Sequence, residues 1–131
     1  MGASKILIVE DEELISLTLR LMLESYDYHV LSTVNNGDVV IQKVIEEEPD
    51  IILMDIELMG EKNGIEAAEE VQEVSDTPII FVTAHPKCHV SQRTAIKEYG
   101  YIEKPFNGQE LLDLIESRLK KNYLINNCLV N

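Results

Sequence analysis

The chain has 131 residues, 45% of them hydrophobic, which is the size and apolar content of one ordinary domain and excludes a disordered segment. Eleven Lys and Arg against 24 Asp and Glu leave a formal net charge of −13. A surface of that sign repels a phosphate backbone, which argues against direct contact with nucleic acid and for a divalent cation or a basic protein surface.

Two cysteines, Cys88 and Cys128, are too few for a disulfide framework, and no apolar run approaches the roughly 18–20 residues of a membrane-spanning helix. The first apolar run, Ile6 to Val9, is shorter than a signal-peptide core and meets Glu10-Asp11-Glu12-Glu13 at once. A cytoplasmic location without membrane contact is the expectation.

Two apolar patterns alternate along the chain. Ile6-Leu7-Ile8-Val9 reads as a first strand, and Leu14, Leu17 and Leu21 as the apolar face of a first helix. His29-Val30-Leu31 is the second strand; after the turn Asn36-Gly37, Val40, Val44, Ile41 and Ile45 mark a second helix. Glu48-Pro49-Asp50 leads into the third strand, Ile51-Ile52-Leu53-Met54, and Asn63-Gly64 into a third helix carried by Ala67, Val71 and Val74. Asp76-Thr77-Pro78 precedes the fourth strand, Ile79-Ile80-Phe81-Val82. A fourth helix over 88–98 rests on Val90 and Ala95-Ile96 alone, and its thin apolar face makes it the most mobile. Tyr101-Ile102 is a weak fifth strand; after Asn107-Gly108, Leu111, Ile115 and Leu119 form the face of the last helix. The domain is expected over 5–121, with 122–131 a frayed tail or the start of a linker.

Runs that are apolar throughout suit strands buried on both faces, hence a parallel sheet covered by helices. Five strand–helix pairs with right-handed crossovers give an α/β fold, a doubly wound five-stranded parallel sheet in strand order 2-1-3-4-5, the flavodoxin-like arrangement. Ligands in such folds sit beyond the carboxyl ends of the strands. Glu10 and Asp11 follow the first strand, Asp55 the third, Thr83 the fourth and Lys104 the fifth. The first and third strands are neighbours in that order, so three carboxylates gather at one edge, and one of them would be protonated unless a cation neutralises the set. An all-oxygen set suits Mg²⁺. Lys104 and Thr83 complete an electrostatic clamp for a phosphoryl group, and the ionised Asp55 is free to act as its nucleophile without a general base.

The set Val9-Glu10-Asp11, Met54-Asp55-Ile56, Val82-Thr83-Ala84 and Glu103-Lys104-Pro105-Phe106 closely resembles the receiver domain of two-component response regulators, the CheY-like family, from Lys5 to Lys120. The resemblance implies a phosphorylation-dependent signalling switch. Asp55 looks like the phospho-acceptor, with Asp11 a direct Mg²⁺ ligand, Glu10 acting through water and the backbone carbonyl of Glu57 a further ligand. Thr83 and Lys104 would bind the phosphoryl, Tyr101 would be the aromatic switch together with Thr83, and Lys104-Pro105 would be a cis peptide. The implied partners are a sensor histidine kinase or phosphotransfer protein upstream and an effector protein or domain downstream. The effector would be reached through the face made by the fourth helix, fifth strand and fifth helix, with a homodimer formed on phosphorylation as a further implication. Such a domain is not an enzyme beyond weak autodephosphorylation.

Three features depart from the family pattern. Glu10 stands where Asp is frequent; the loop from Ile56 to Gly64 lacks the usual Pro and is one residue longer than the commonest form; Glu57 and His85 occupy positions that tune the phosphoryl lifetime. Taken singly, the motifs carry less. Acidic residues after a strand are mostly solvated, a lone lysine lies on the surface with its stem along the sheet, and Glu46-Glu47-Glu48 reads as a solvated helix end. His85-Pro86-Lys87-Cys88-His89 lacks zinc spacing. No phosphate-binding glycine loop, nucleophile elbow or dinucleotide fingerprint is present. Two rivals remain. A haloacid-dehalogenase-type phosphohydrolase wants a second Asp where this chain has Glu57, and a cap domain for which the chain lacks length. A receiver-shaped interaction module that is not phosphorylated does not need the acidic set and Lys104.

Overall fold

The computed structural model describes residues 2–84 and 99–130, with side chains through 120. Its strands are β1 (Lys5–Val9), β2 (His29–Val34), β3 (Ile51–Met54), β4 (Ile79–Thr83) and β5 (Tyr99–Glu103). All pair in parallel, in the order β2-β1-β3-β4-β5. This is the doubly wound, flavodoxin-like sheet expected from the sequence. Every residue of β3 and β4 is buried, as is β1 after Lys5, which is why these strands read as unbroken apolar runs. β2 and β5 are edge strands; their mixed burial explains why the sequence showed only three residues of one and two of the other.

The helices are α1 (Glu13–Ser25), α2 (Val40–Glu47), α3 (Gly64–Gln72) and a C-terminal helix (Gly108–Val130). They divide the core into two layers. Leu7, Val9, Ile52, Met54 and Phe81 point to the side of α2 and α3, where Val40, Val44, Ala67, Ala68 and Val71 meet them. Ile6, Ile8, Ile51, Leu53 and Ile80 point to the side of α1 and the C-terminal helix, against Leu19, Leu23, Leu111 and Ile115. This alternation is the period-2 geometry of a strand covered on both faces.

Three helix details differ from expectation. On α1 the stripe Leu14, Leu17 and Leu21 is exposed, at 76, 51 and 60%, and the helix packs through Leu19 and Leu23 with Ile15 and Met22 beside them. The second set covers positions i, i+4, i+7 and i+8, the broader apolar face, and so takes the core. Ile45 and Val74 are also exposed, Val74 because α3 ends at Gln72. The C-terminal helix continues through 122–130, where the sequence shows no sustained apolar face. The predicted helix over 88–98, His85 and the His85–His89 cluster lie outside the described residues.

Candidate functional site

The backbone ladder runs one residue past the strands and so carries the polar residues to a common edge. Glu10 donates its amide to the Val34 carbonyl (2.8 Å), Asp55 to Val9 (2.9 Å) and Lys104 to Thr83 (2.8 Å). Asp55 is thereby seated beside the end of β1, and Lys104 beside the end of β4. The Lys104-Pro105 peptide is cis, as expected. Gly64, the first residue of α3, lies so close to the Asp55 carbonyl that any β-carbon there would collide with backbone.

Around that edge the Lys104 ammonium donates to both oxygens of Glu10, at 3.1 and 3.0 Å, and to Asp55 Oδ2 at 3.1 Å. Glu10, Asp11 and Asp55 each present a carboxylate oxygen, and these lie within 4.8 Å of one another. Glu10 and Asp55 are buried and Asp11 half-buried. Burial first, and then the Asp55 charge, push the Glu10 carboxyl up to about 7 despite the ammonium beside it. Burial alone would lower the Lys104 pKa, but hydrogen bonds and attraction to both carboxylates carry it above its ordinary value. With all three carboxylates ionised, the single ammonium leaves two negative charges uncompensated, which a divalent cation would neutralise in place of the proton that Glu10 otherwise retains. Hard oxygen donors with solvent on one side fit Mg²⁺, which keeps several of its waters.

Thr83 is fully buried at the end of β4, paired in register with Glu103. Tyr101 is half-buried on β5, opposite Phe81, and packs against the core layer beneath α2 and α3. Glu57 is exposed; its amide donates to Asp55 Oδ1 at 3.2 Å, so its own carbonyl belongs to the turn that leaves the acidic cluster.

The sequence reading passed over Asp38. Its carboxylate accepts from the amides of Glu61 (3.2 Å) and Lys62 (3.0 Å), within the loop that follows Asp55. The available signal was Asn36-Gly37-Asp38 ahead of an apolar periodicity, a turn that places an acceptor at its third position; Asn36 accepts from the Asp38 amide at 2.7 Å.

The family model described as the response regulator receiver domain matches residues 6–116. The transcriptional regulatory protein YdfI of Bacillus subtilis (strain 168) is 33% identical over 124 residues, covering 93% of this chain and 58% of its own length. The chain thus spans under two thirds of that relative. Among solved structures, the N-terminal domain of a response regulator/sensory box/GGDEF three-domain protein from Carboxydothermus hydrogenoformans superimposes with a TM-score of 0.84 at 35% identity, over 94% of this chain and 98% of that one. The receiver domain of the sensor histidine kinase PA1611 from Pseudomonas aeruginosa PAO1 gives 0.79 at 27% identity, over 91% and 99%, and holds a magnesium ion in its active-site cleft.

Proposed function

Because the chain belongs to the response regulator receiver domain family of two-component systems, we propose that it is a switch that takes a phosphoryl group on Asp55 in a Mg²⁺-dependent step. The observation carrying this reading is the Lys104 ammonium, bonded to Glu10 and Asp55 at once with Asp11 in the same carboxylate cluster. Asp11, Asp55 and the Glu57 carbonyl would hold the ion, with Glu10 acting through water. Bound Mg²⁺ supplies charge neutralisation for the anionic group being transferred.

The donor is a phosphohistidine on a sensor kinase or phosphotransfer protein. An Asp55 oxygen bonds to phosphorus as the bond from phosphorus to the imidazole nitrogen breaks, and the imidazole leaves and takes up a proton. Lys104 and the Thr83 hydroxyl hold the equatorial oxygens. Thr83 then moves toward the phosphoryl, Tyr101 turns inward, and the face of β5 and the C-terminal helix, together with the segment 88–98, is read by an effector protein or domain. A homodimer formed on phosphorylation is a further reading of that face. The chain works in the cytoplasm, where such donors reside; among the described residues no helix is long and apolar enough to cross a membrane. Any return to the resting state by its own hydrolysis is slow turnover of a modification on the protein itself.

Intact-mass spectrometry after incubation with phosphoramidate tests this reading. One phosphoryl is expected with Mg²⁺, none with a chelator and none in Asp55→Asn. An adduct that survives Asp55→Asn or chelation overturns the proposal.

A further inference from the structure

We propose that Asp38 is a positioning residue for the metal-binding carbonyl of Glu57. This rests on the reading of Asp55 as phospho-acceptor and Glu57 as a ligand through its backbone. The loop from Ile56 to Asn63 contains no proline to stiffen it, so its path is fixed by the hydrogen bonds it makes.

Both ends of the loop are tied. Asp55 is held on β1, and the Gly64 amide donates to Ile56 at 2.7 Å while Asn63 and Glu66 form a reciprocal cap on α3. The middle is carried by the segment leaving β2. The Gly37 amide donates to the Met59 carbonyl at 3.1 Å, Asn36 and Met59 form an isolated parallel bridge, and the Asp38 carboxylate takes the amides of Glu61 and Lys62. Gly60 makes the intervening turn at φ +95, with Asn36 Oδ1 and Asp38 Oδ2 against the place a β-carbon would occupy. No side chain fits there without displacing the clamp.

Glu57 therefore lies between a start fixed by β1 and a middle fixed by Asp38. Mg²⁺ accepts ligands only near ideal octahedral geometry, so a loop free to swing would present that carbonyl at the wrong distance. Outer partners of metal ligands are worth ~10–100-fold in affinity. Asp38 is exposed and its bonds compete with water, so the expected effect is smaller, about three- to tenfold.

The test compares the parent with Asp38→Ala and Asp38→Asn, which keeps one accepting oxygen. Mg²⁺ affinity is read by isothermal titration calorimetry, and the rate of phosphorylation by phosphoramidate is read across Mg²⁺ concentrations. Asp38→Ala should weaken Mg²⁺ about three- to tenfold and slow the reaction at low Mg²⁺, with the parent rate regained at saturation; Asp38→Asn should fall between. Unchanged affinity, with or without a lower Tm, overturns the positioning role, because a merely structural latch would move only the Tm. A parent that binds Mg²⁺ but takes no phosphoryl sinks the acceptor reading and leaves the affinity comparison to decide Asp38. A parent that binds no Mg²⁺ sinks both.

Discussion

Glu10 carries the strain of the cluster. Its carboxyl is held at about 7 against an ordinary value of 4.5, chiefly by burial and next by the Asp55 charge. Between those values the folded protein keeps a proton that the unfolded chain has released, so stability falls as pH rises through that window and is level above it. Lys104, raised above 10.5, holds its proton throughout and adds no slope there. Urea midpoints of the metal-free protein are expected to drop from pH 5 to 7. The drop should vanish at saturating Mg²⁺, which displaces the proton, and in Glu10→Gln; an equal slope in all three would refute the assignment. The same electrostatics set the sign of Asp55→Asn. Removing that charge relieves Glu10 while the amide oxygen still accepts from Lys104, so the metal-free variant should be more stable than the parent by about 1 kcal/mol at pH 7.5. A less stable variant in calorimetry would mean that the Lys104 bond outweighs the repulsion.

Elements differ in how openly the sequence declares them. β1, β3 and β4 are buried on both faces and appear as four-residue apolar runs, whereas β2 and β5 lie at the edges and dilute their pattern with Ser32, Thr33 and Glu103. α1 misled for another reason: it is apolar on two sides, so periodicity alone could not say which stripe faces the sheet. That distinction is measurable. Leu19→Ala, at a site 2% exposed, should cost about 2–5 kcal/mol of unfolding free energy, and Leu14→Ala, at 76%, under about 0.5. Comparable losses in denaturant melts would return α1 to the orientation expected from Leu14, Leu17 and Leu21. The acidic set was legible because chemistry confines charged residues at the ends of buried strands to a few purposes. Asp38 was not, because its role depends on a partner loop 23 and 24 residues away.

Across the whole molecule, the site has no local existence. Its oxygens and ammonium come from the ends of β1, β3 and β5, which become neighbours only when the parallel sheet is assembled with its helices in place. An unfolded chain separates Glu10 from Lys104 by 94 positions and cannot reproduce the cluster. An ion held by this cluster would bind the native state and not the unfolded one, so on the proposed reading Mg²⁺ should act on global stability by mass action. At a hundred times its dissociation constant the gain is about 2.7 kcal/mol, growing with the logarithm of concentration. Because the same surface is exposed on unfolding with or without the ion, the denaturant slope should stay constant while the midpoint moves. Urea titrations at stepped Mg²⁺, with Ca²⁺-free buffers and constant ionic strength to separate binding from screening of the net charge of −13, measure both quantities. A midpoint that tracks ionic strength regardless of the cation would show only relief of self-repulsion. A slope that changes with Mg²⁺ would mean that part of the sheet edge orders only when the ion is bound.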